Sequence, residues 1–163
     1  TKGLGTCYQG GIKLKAEEIP EGMCCAIVIA FGYAERELTR DAKKAKRKPL
    51  SKLCYFAEEP DLAIRDMLKS ARMAPSAINR QPWHFHVWKD RIDLYIHADN
   101  PFEKATANSY LIDMGIALCH IMQSADEQWK SIEVVRDAEL AEQVKDKHTL
   151  AKELYVISVK IKA

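Results

Sequence analysis

The longest segment with helical character places the strongest constraint on the fold. No proline interrupts the chain between Phe102 and Trp129, and residues 111–122 are apolar almost all round a helix. A helix that is hydrophobic on every side belongs in the interior of a protein rather than on its surface. We therefore predict one long central helix over Phe102–Trp129, around which the rest of the chain must supply covering layers.

The remaining segments alternate between helical and strand patterns and predict an α+β fold. Apolar residues recur at helical spacing from Pro60–Asp61 to Ala74, and Pro75 ends that helix. Strands are predicted over Met23–Tyr33 (apolar on both faces, hence buried and central), Trp83–Trp88, Arg91–Ala98, Ile132–Val135 and Tyr155–Ile161. A loop is expected over the glycine-rich residues 3–11, a turn at Lys89–Asp90, and a surface helix over Ala138–Lys147.

Composition excludes several classes of protein. The 163 residues suit one domain or two small ones, and a net charge of +2 argues against a nucleic-acid binder or a polybasic membrane binder. The longest apolar run, Met23–Ala30, is far shorter than the ~20 residues of a membrane span. The five cysteines form no Cys-x-x-Cys pair, so we expect reduced thiols and a cytoplasmic location rather than a disulfide framework or a zinc site.

Two histidines stand out, although their pattern has an ordinary interpretation. His84 and His86 are two residues apart on a predicted strand and so share one face, where they could bind a metal. A polar strand face beside Trp88 explains the same spacing, and we prefer that interpretation. No Ser-His-Asp or Cys-His set can be assembled from local signatures.

The most specific segment is Ala74-Pro-Ser-Ala-Ile-Asn-Arg-Gln-Pro-Trp83. It closely resembles the Ala-Pro-Ser-x-x-Asn-x-Gln-Pro-Trp motif of the nitroreductase family of FMN-dependent oxidoreductases. Two further segments resemble that family: the glycine-rich residues 3–11 are similar to the loop after its long central helix, and Arg47-Lys-Pro-Leu50 to its basic segment near the chain end.

The order of these segments is that of a subgroup in which two nitroreductase-like halves are fused. The basic segment precedes Pro75-Ser76, whereas in ordinary members it comes last. The resemblance implies a C-terminal part of a first half over residues 1–57 and a second, degenerate half over residues 58–163. It also implies a mixed or antiparallel sheet flanked by helices, and it places the family's early Arg-x-Ser-x-Arg motif before Thr1.

The resemblance also implies which residues hold FMN. Gly5, Thr6 and Cys7 would lie beside the isoalloxazine, with Cys7 as a small filler rather than a redox thiol. Arg47 would meet the phosphate, with Lys46 as a possible helper. The residues that reach over from the second half would be Pro75, Ser76, Ala77 and Asn79. Trp83 is expected to pack in the core, and no side chain is needed as a catalytic acid or base.

The function implied by the resemblance is FMN-dependent oxidoreduction by a ping-pong route. NAD(P)H would reduce FMN, which would then reduce nitro-compounds or quinones. The alternatives are a catalytically degenerate flavin-binding protein, a non-enzymatic fragment and, more weakly, a metal-dependent enzyme that uses His84 and His86. Because apolar strands should not stay exposed, we also expect a homodimer or completion by an N-terminal segment.

Overall fold

The computed structural model describes residues 4–9, 12, 14–33, 35, 44–97, 107–140 and 153–162. The chain divides into an N-terminal unit, Thr1–Ala45, and a C-terminal unit, Lys46–Ala163. The predicted boundary between residues 57 and 58 separates two nitroreductase-like halves, whereas the division after Ala45 separates two compact units. The predicted boundary stays a prediction. In the part of the chain that the structure describes, no helix has the length and apolar character that crossing a membrane requires.

The N-terminal unit contains a two-stranded antiparallel sheet. Strand β1 (Gly5–Gln9) pairs with strand β2 (Val28–Gly32), and a 3-10 turn lies between them at Ala16–Glu18. The prediction of a loop over residues 3–11 is therefore wrong for Gly5–Gln9. Thr6, Cys7 and Tyr8 tolerate the extended backbone, and hydrogen bonding to β2 fixes it despite the flanking glycines.

The prediction of a buried central strand over Met23–Tyr33 is wrong in two respects. Only Val28–Gly32 is a strand, and its apolar side chains are exposed: 46% for Ile29 and 76% for Phe31. An apolar strand becomes buried only when another layer covers it. Among the described residues of its unit, β2 has one neighbouring strand and no packed helix.

The C-terminal unit is built around a five-stranded mixed sheet. Its elements in chain order are α1 (Leu50–Leu53), β3 (Cys54–Phe56), α2 (Leu62–Met73), β4 (Trp83–Val87), β5 (Arg91–His97), α3 (Ala107–Glu127), β6 (Ile132–Val135) and β7 (Glu153–Ile161). The strand order is β3-β4-β5-β7-β6, with β3 parallel to β4 and every other pair antiparallel. The predicted α+β class is confirmed, as are β4, β5, β6 and β7; β3 was not predicted.

Helix α2 forms where its apolar spacing predicts it. Ile64, Met67, Leu68 and Ala71 lie at i, i+3, i+4 and i+7 and are all fully buried. The Asp61 carboxylate accepts a hydrogen bond from the Ile64 N–H at 2.8 Å and so caps the first turn. This apolar face packs against α3 and the apolar face of the sheet, where Trp83 is fully buried as predicted.

Helix α3 is confirmed as a long helix, but it is not buried on every side. Residues 102–106 of the prediction lie outside the described residues, and the helix ends at Glu127. Met114, Ala117 and Ile121 face the core, whereas Leu111 is 52% and Met122 45% exposed. The described elements cover α3 on one side only. The predicted surface helix has helical backbone at 138–140, and the rest of it lies outside the described residues.

The sheet face opposite the core is polar. The Asp93 carboxylate accepts hydrogen bonds from Ser158 Oγ at 2.6 Å and Trp88 Nε1 at 2.9 Å, and Tyr155 Oη lies 2.8 Å from Ser158 Oγ. A bulge in the pairing of β5 with β7, between Leu94 and Tyr95, keeps these groups on one face.

Glu153 belongs to the same face. Burial tends to raise the pKa of its carboxyl, but hydrogen bonds to His84 and His86 hold that pKa well below its usual range.

Candidate functional site

The segment between α2 and β4, residues 74–82, has the most unusual backbone in the described chain. Ile78, Asn79 and Gln81 have φ angles of 46°, 58° and 53°, in the left-handed region that non-glycine residues rarely occupy. Pro75 prevents α2 from continuing, and a short 3-10 turn follows at Ala77–Asn79. Such strain persists only when surrounding contacts impose it, and it concentrates at functional sites.

Arg47 supplies many of those contacts. Its Nη1 donates to Asn79 Oδ1 at 2.9 Å and to the Lys46 carbonyl at 3.1 Å. Its Nε and Nη2 both donate to the Met73 carbonyl at the end of α2, at 3.4 and 3.1 Å. Asn79 Nδ2 donates in turn to the Lys46 carbonyl at 3.0 Å. The guanidinium of Arg47 thus joins the basic segment, residues 47–50, to residues 74–82, which we call the motif loop.

Gln81 ties the loop together from its buried side. Its side chain accepts from the Lys48 N–H at 2.7 Å and donates to the Asn79 carbonyl at 3.2 Å. Its own N–H donates to Ser76 Oγ at 2.8 Å. Because Gln81 is only 4% exposed, these bonds form away from solvent, where they hold the left-handed backbone most firmly.

Asp113 anchors the start of the 3-10 turn from α3. Its Oδ1 accepts the Ala77 N–H at 3.0 Å, while its buried Oδ2 has no hydrogen-bond partner among the described residues. Burial raises the pKa of the Asp113 carboxyl, and the hydrogen bond from Ala77 opposes that rise. The carboxylate therefore fixes the loop at some cost in desolvation.

The surroundings of the loop are cationic. Lys46 is exposed, and Arg72 Nε donates to the Lys48 carbonyl at 2.7 Å, which keeps a second guanidinium at the end of α2. Arg80 Nη1 donates to Tyr110 Oη at 2.8 Å. Asp113, an acidic residue in direct contact with the loop, is buried rather than exposed at the loop surface. The exposed side of the loop therefore favours an anionic group.

The structure brings together several of the predicted site residues. Arg47 contacts Asn79, and Ser76 and Ala77 lie in the same bonded loop, with Pro75 exposed at its start. Gly5, Thr6 and Cys7 lie on β1 of the N-terminal unit, where Cys7 Sγ donates weakly to the Tyr8 carbonyl at 3.5 Å. That all of these residues bind one cofactor stays a prediction.

Two important residues were missed. Gln81 was part of the recognised motif but was not predicted to be a site residue. Its place inside the motif is the signal that could have indicated a role. Asp113 is the single acidic residue in the apolar run 111–122, which is a signal for a buried polar contact. Neither contact partner could be identified from spacing, because the partners are distant in the sequence.

Comparisons with known proteins agree with the architecture. The family model described as "Putative TM nitroreductase" matches residues 1–125. A crystal structure from Thermotoga maritima MSB8, described as "a putative nitroreductase", superimposes with a TM-score of 0.56 at 22% sequence identity. The alignment covers 98% of this chain and 55% of that chain, so the present chain spans about half the length of that structure. No curated protein matches.

A mixed sheet with helices packed on it, and a strained polar loop beside a basic segment, define a protein of the nitroreductase-like fold. The family model covers most of the chain. The chain therefore belongs to the nitroreductase family, a family of oxidoreductases.

Proposed function

We propose that the chain forms part of an FMN-dependent oxidoreductase that uses NAD(P)H to reduce nitro-compounds or quinones in the cytoplasm. The observation that carries the proposal is the contact between Arg47 and Asn79, which joins the basic segment to the motif loop in cationic surroundings. Family membership supports the oxidoreductase class.

The donors left over in this loop fit an acceptor-rich group such as a flavin. Asn79 Nδ2 uses one of its two hydrogens on the Lys46 carbonyl, and Ser76 accepts the Gln81 N–H but keeps its own O–H for donation. Both side chains lie at least partly in solvent. Flavin ring carbonyls and ribityl hydroxyls are groups that such donors recognise.

The phosphate role of Arg47 is narrower than the family resemblance implies. Four of its five N–H groups are engaged by Met73, Lys46 and Asn79, which leaves one on Nη2. A bidentate grip on a phosphate would need some of these bonds to break. We propose that Arg47 mainly positions Asn79 and that exposed Lys46 carries more of the attraction for the phosphate.

Bound FMN would supply the hydride chemistry, so the protein has to orient substrates rather than provide an acid or base. Asn79 and Ser76 would orient the flavin edge, and Asn79, whose backbone is left-handed, is exposed to solvent. Asp113 and Gln81 keep that backbone in place. The strain is useful because the donors then need no rearrangement when the cofactor binds.

The direct test is reconstitution of the purified chain with FMN, followed by desalting and a visible absorption spectrum. We expect a retained flavin band and a fluorescence titration that saturates. Asn79→Ala and Ser76→Ala should each weaken FMN binding by roughly tenfold, the equivalent of one lost hydrogen bond. Ser131→Ala removes an exposed hydroxyl far along the sequence and should leave the affinity unchanged.

Addition of NADH without oxygen then separates an enzyme from a flavin carrier. Bleaching of the flavin band, and its return when a quinone is added, would support the oxidoreductase. A bound flavin that NADH and NADPH never bleach would favour the degenerate flavin-binding alternative. A colourless protein after reconstitution would contradict flavin binding altogether.

We also propose that the exposed apolar face of α3 pairs with a second copy or with a further segment of the same protein. Leu111 and Met122 are about half exposed on this face. For the 163-residue chain, light scattering after gel filtration should give a dimer, and Leu111→Glu or Met122→Glu should give a monomer. Gln123→Glu adds the same charge at an exposed position of α3 and should remain dimeric. A wild-type monomer would exclude the second copy.

A further inference from the structure

Three imidazoles converge on one carboxylate on the polar face of the sheet. His84 and His86 lie on β4, His97 ends β5, and Glu153 begins β7 directly opposite His97 in the strand register. The side chains of His84 and His97 are 30% and 29% exposed, whereas that of Glu153 is 6% exposed. A buried carboxylate is therefore surrounded by ring nitrogens at a site that remains open to solvent on one side.

The geometry divides the two oxygens of Glu153 between different partners. Oε2 lies 3.1 Å from His86 Nε2. Oε1 is in contact with His84 Nδ1 and lies 3.6 Å from His97 Nδ1. The rings of His84 and His97 are stacked, with centroids 4.5 Å apart and planes 18° apart. One ligand atom from each of His84, His97 and Glu153 lies within 4.8 Å of the others.

These distances suit the coordination of a small divalent ion. Ligand atoms at zinc bond lengths of about 2.0–2.1 Å in a tetrahedron lie about 3.4 Å apart. His97 Nδ1 and Glu153 Oε1 are already close to that separation. His84 has to move slightly away from Glu153, and its ligand atom, which lies within 4.8 Å of that of His97, has to reach the same separation from it. Two imidazoles and one carboxylate form a donor set that binds zinc and related transition metals, with at least one position left for water.

His86 is not one of the three ligands but positions the carboxylate of Glu153. His86 holds Glu153 Oε2 and stacks on Tyr95 with ring centroids 4.2 Å apart, so it fixes the carboxylate and leaves Oε1 directed at the other two histidines. Metal-binding carboxylates are commonly oriented by such an outer hydrogen bond. The neighbouring Asp93 is not available as a ligand, because Ser158, Trp88 and Arg91 occupy its oxygens.

We propose that His84, His97 and Glu153 form a divalent-metal site of the zinc class, with His86 as its positioning residue. The site differs from the pair that the sequence suggested, because the strand register replaces His86 by His97 as the second nitrogen ligand. The metal site is separate in the sequence from the motif loop, residues 74–82, and it does not depend on the proposed oxidoreductase activity.

Calorimetric titration of the metal-free 163-residue chain with Zn²⁺ tests the proposal. Four of the five cysteines are exposed, and thiolates are zinc ligands in general, so the thiols are first alkylated with iodoacetamide. We expect one Zn²⁺ per alkylated chain. Glu153→Gln and His97→Ala should each lower the affinity by at least about tenfold, and His86→Ala by a similar or smaller factor. His120→Asn alters a half-buried histidine on α3 and should leave the affinity unchanged.

Because variants in the sheet could fail to fold, the wild-type chain provides a second measurement. In a nitrogen-15 NMR spectrum of the histidine side chains, Zn²⁺ should shift the ring nitrogens of His84 and His97 in proportion to occupancy. Shifts confined to other histidines would overturn the proposal. Less than one ion per alkylated chain, or equal affinity in wild type and Glu153→Gln, would overturn it as well.

Discussion

Strands β2 and β4 have similar apolar content, but the apolar side chains of β2 are exposed and those of β4 are buried. In β2 of the N-terminal unit, Phe31 is 76% exposed, whereas in β4 of the C-terminal unit Phe85 is fully buried. Each strand has one antiparallel partner, β1 for β2 and β5 for β4, and β4 has β3 as a second, parallel partner. Strand pairing satisfies backbone groups but does not by itself cover a face of the sheet. Helices α2 and α3 pack against one face of the larger sheet, and the described N-terminal residues contain no such layer.

This difference shows what an apolar strand pattern can and cannot indicate. The pattern predicts extended backbone, because β-branched and aromatic residues fit a pleated surface. Burial requires a second element with a matching apolar face, which α2 supplies at helical spacing for β4. For β2, the described residues of its unit include no covering element, and its apolar side chains are therefore exposed.

The first prediction compares Phe85 with Phe31 directly. Phe85→Ala should lower the free energy of unfolding by about 3–5 kcal/mol, because it leaves a cavity between the sheet and the helices. Phe31→Ala should change it by no more than about 0.5 kcal/mol, as expected for an exposed position. Urea denaturation followed by circular dichroism measures both.

The pair also discriminates between explanations. A loss of several kcal/mol in Phe31→Ala that depends on protein concentration would show that a second copy covers β2 in solution. The same loss without concentration dependence would contradict the exposure seen in this structure. A small effect of Phe85→Ala would contradict the contrast between the two units.

Much of the C-terminal unit could be predicted from the sequence because its signals are local. Asp61 before an apolar stripe marks the start of α2, Pro75 marks its end, and Lys89–Asp90 separates two strands. The exposure of α3 could not be predicted, because it depends on what packs against each side. Strand β3 was missed for a related reason: it has three residues, and its pairing with β4 defines it.

The candidate site shows the same limit. The motif identified the loop, and Arg47 and Asn79 were both expected to belong to one site. The contacts that hold the loop from outside join residues 26 to 36 positions apart, as in Arg47 with Met73 and Ala77 with Asp113. Asparagine adopts the left-handed region more readily than most residues, so Asn79 carries a weak local signal for its φ angle. The left-handed φ angles at Ile78 and Gln81 depend on these contacts, and residue type does not predict them.

The second prediction concerns an acidic group in each unit. The raised pKa of Asp113 means that the folded chain binds its proton more tightly than the unfolded chain. The contribution of Asp113 to the free energy of unfolding should therefore fall as pH rises from the ordinary carboxyl pKa through the raised one, and should then level off. Asp113→Asn keeps an acceptor for the Ala77 N–H and removes the buried charge.

We expect Asp113→Asn to abolish that fall and to stabilise the chain at neutral pH by on the order of 1 kcal/mol, because a neutral amide costs less to bury than a carboxylate. Glu21→Gln in the N-terminal unit is the control, because Glu21 is exposed and should change neither the stability nor its pH dependence. Urea midpoints between pH 4 and 8 measure both. Equal pH profiles for Asp113→Asn and wild type would show that Asp113 is not the group responsible.

The third prediction compares two exposed apolar residues whose backbones differ. Ile78 is 82% exposed, as Phe31 nearly is, but its φ of 46° is strained for a β-branched residue. Ile78→Gly should raise the free energy of unfolding by roughly 0.5–1 kcal/mol, since relief of strain exceeds the added entropy of the unfolded chain. Ala77→Gly, one residue earlier and without a positive φ, should lower it by roughly 0.5–1 kcal/mol. Thermal denaturation of the two variants side by side gives the sign of each change in the free energy of unfolding.

If both variants destabilise the chain equally, then Ile78 is relaxed in solution, and the loop does not hold Asn79 in the strained geometry proposed to orient the flavin.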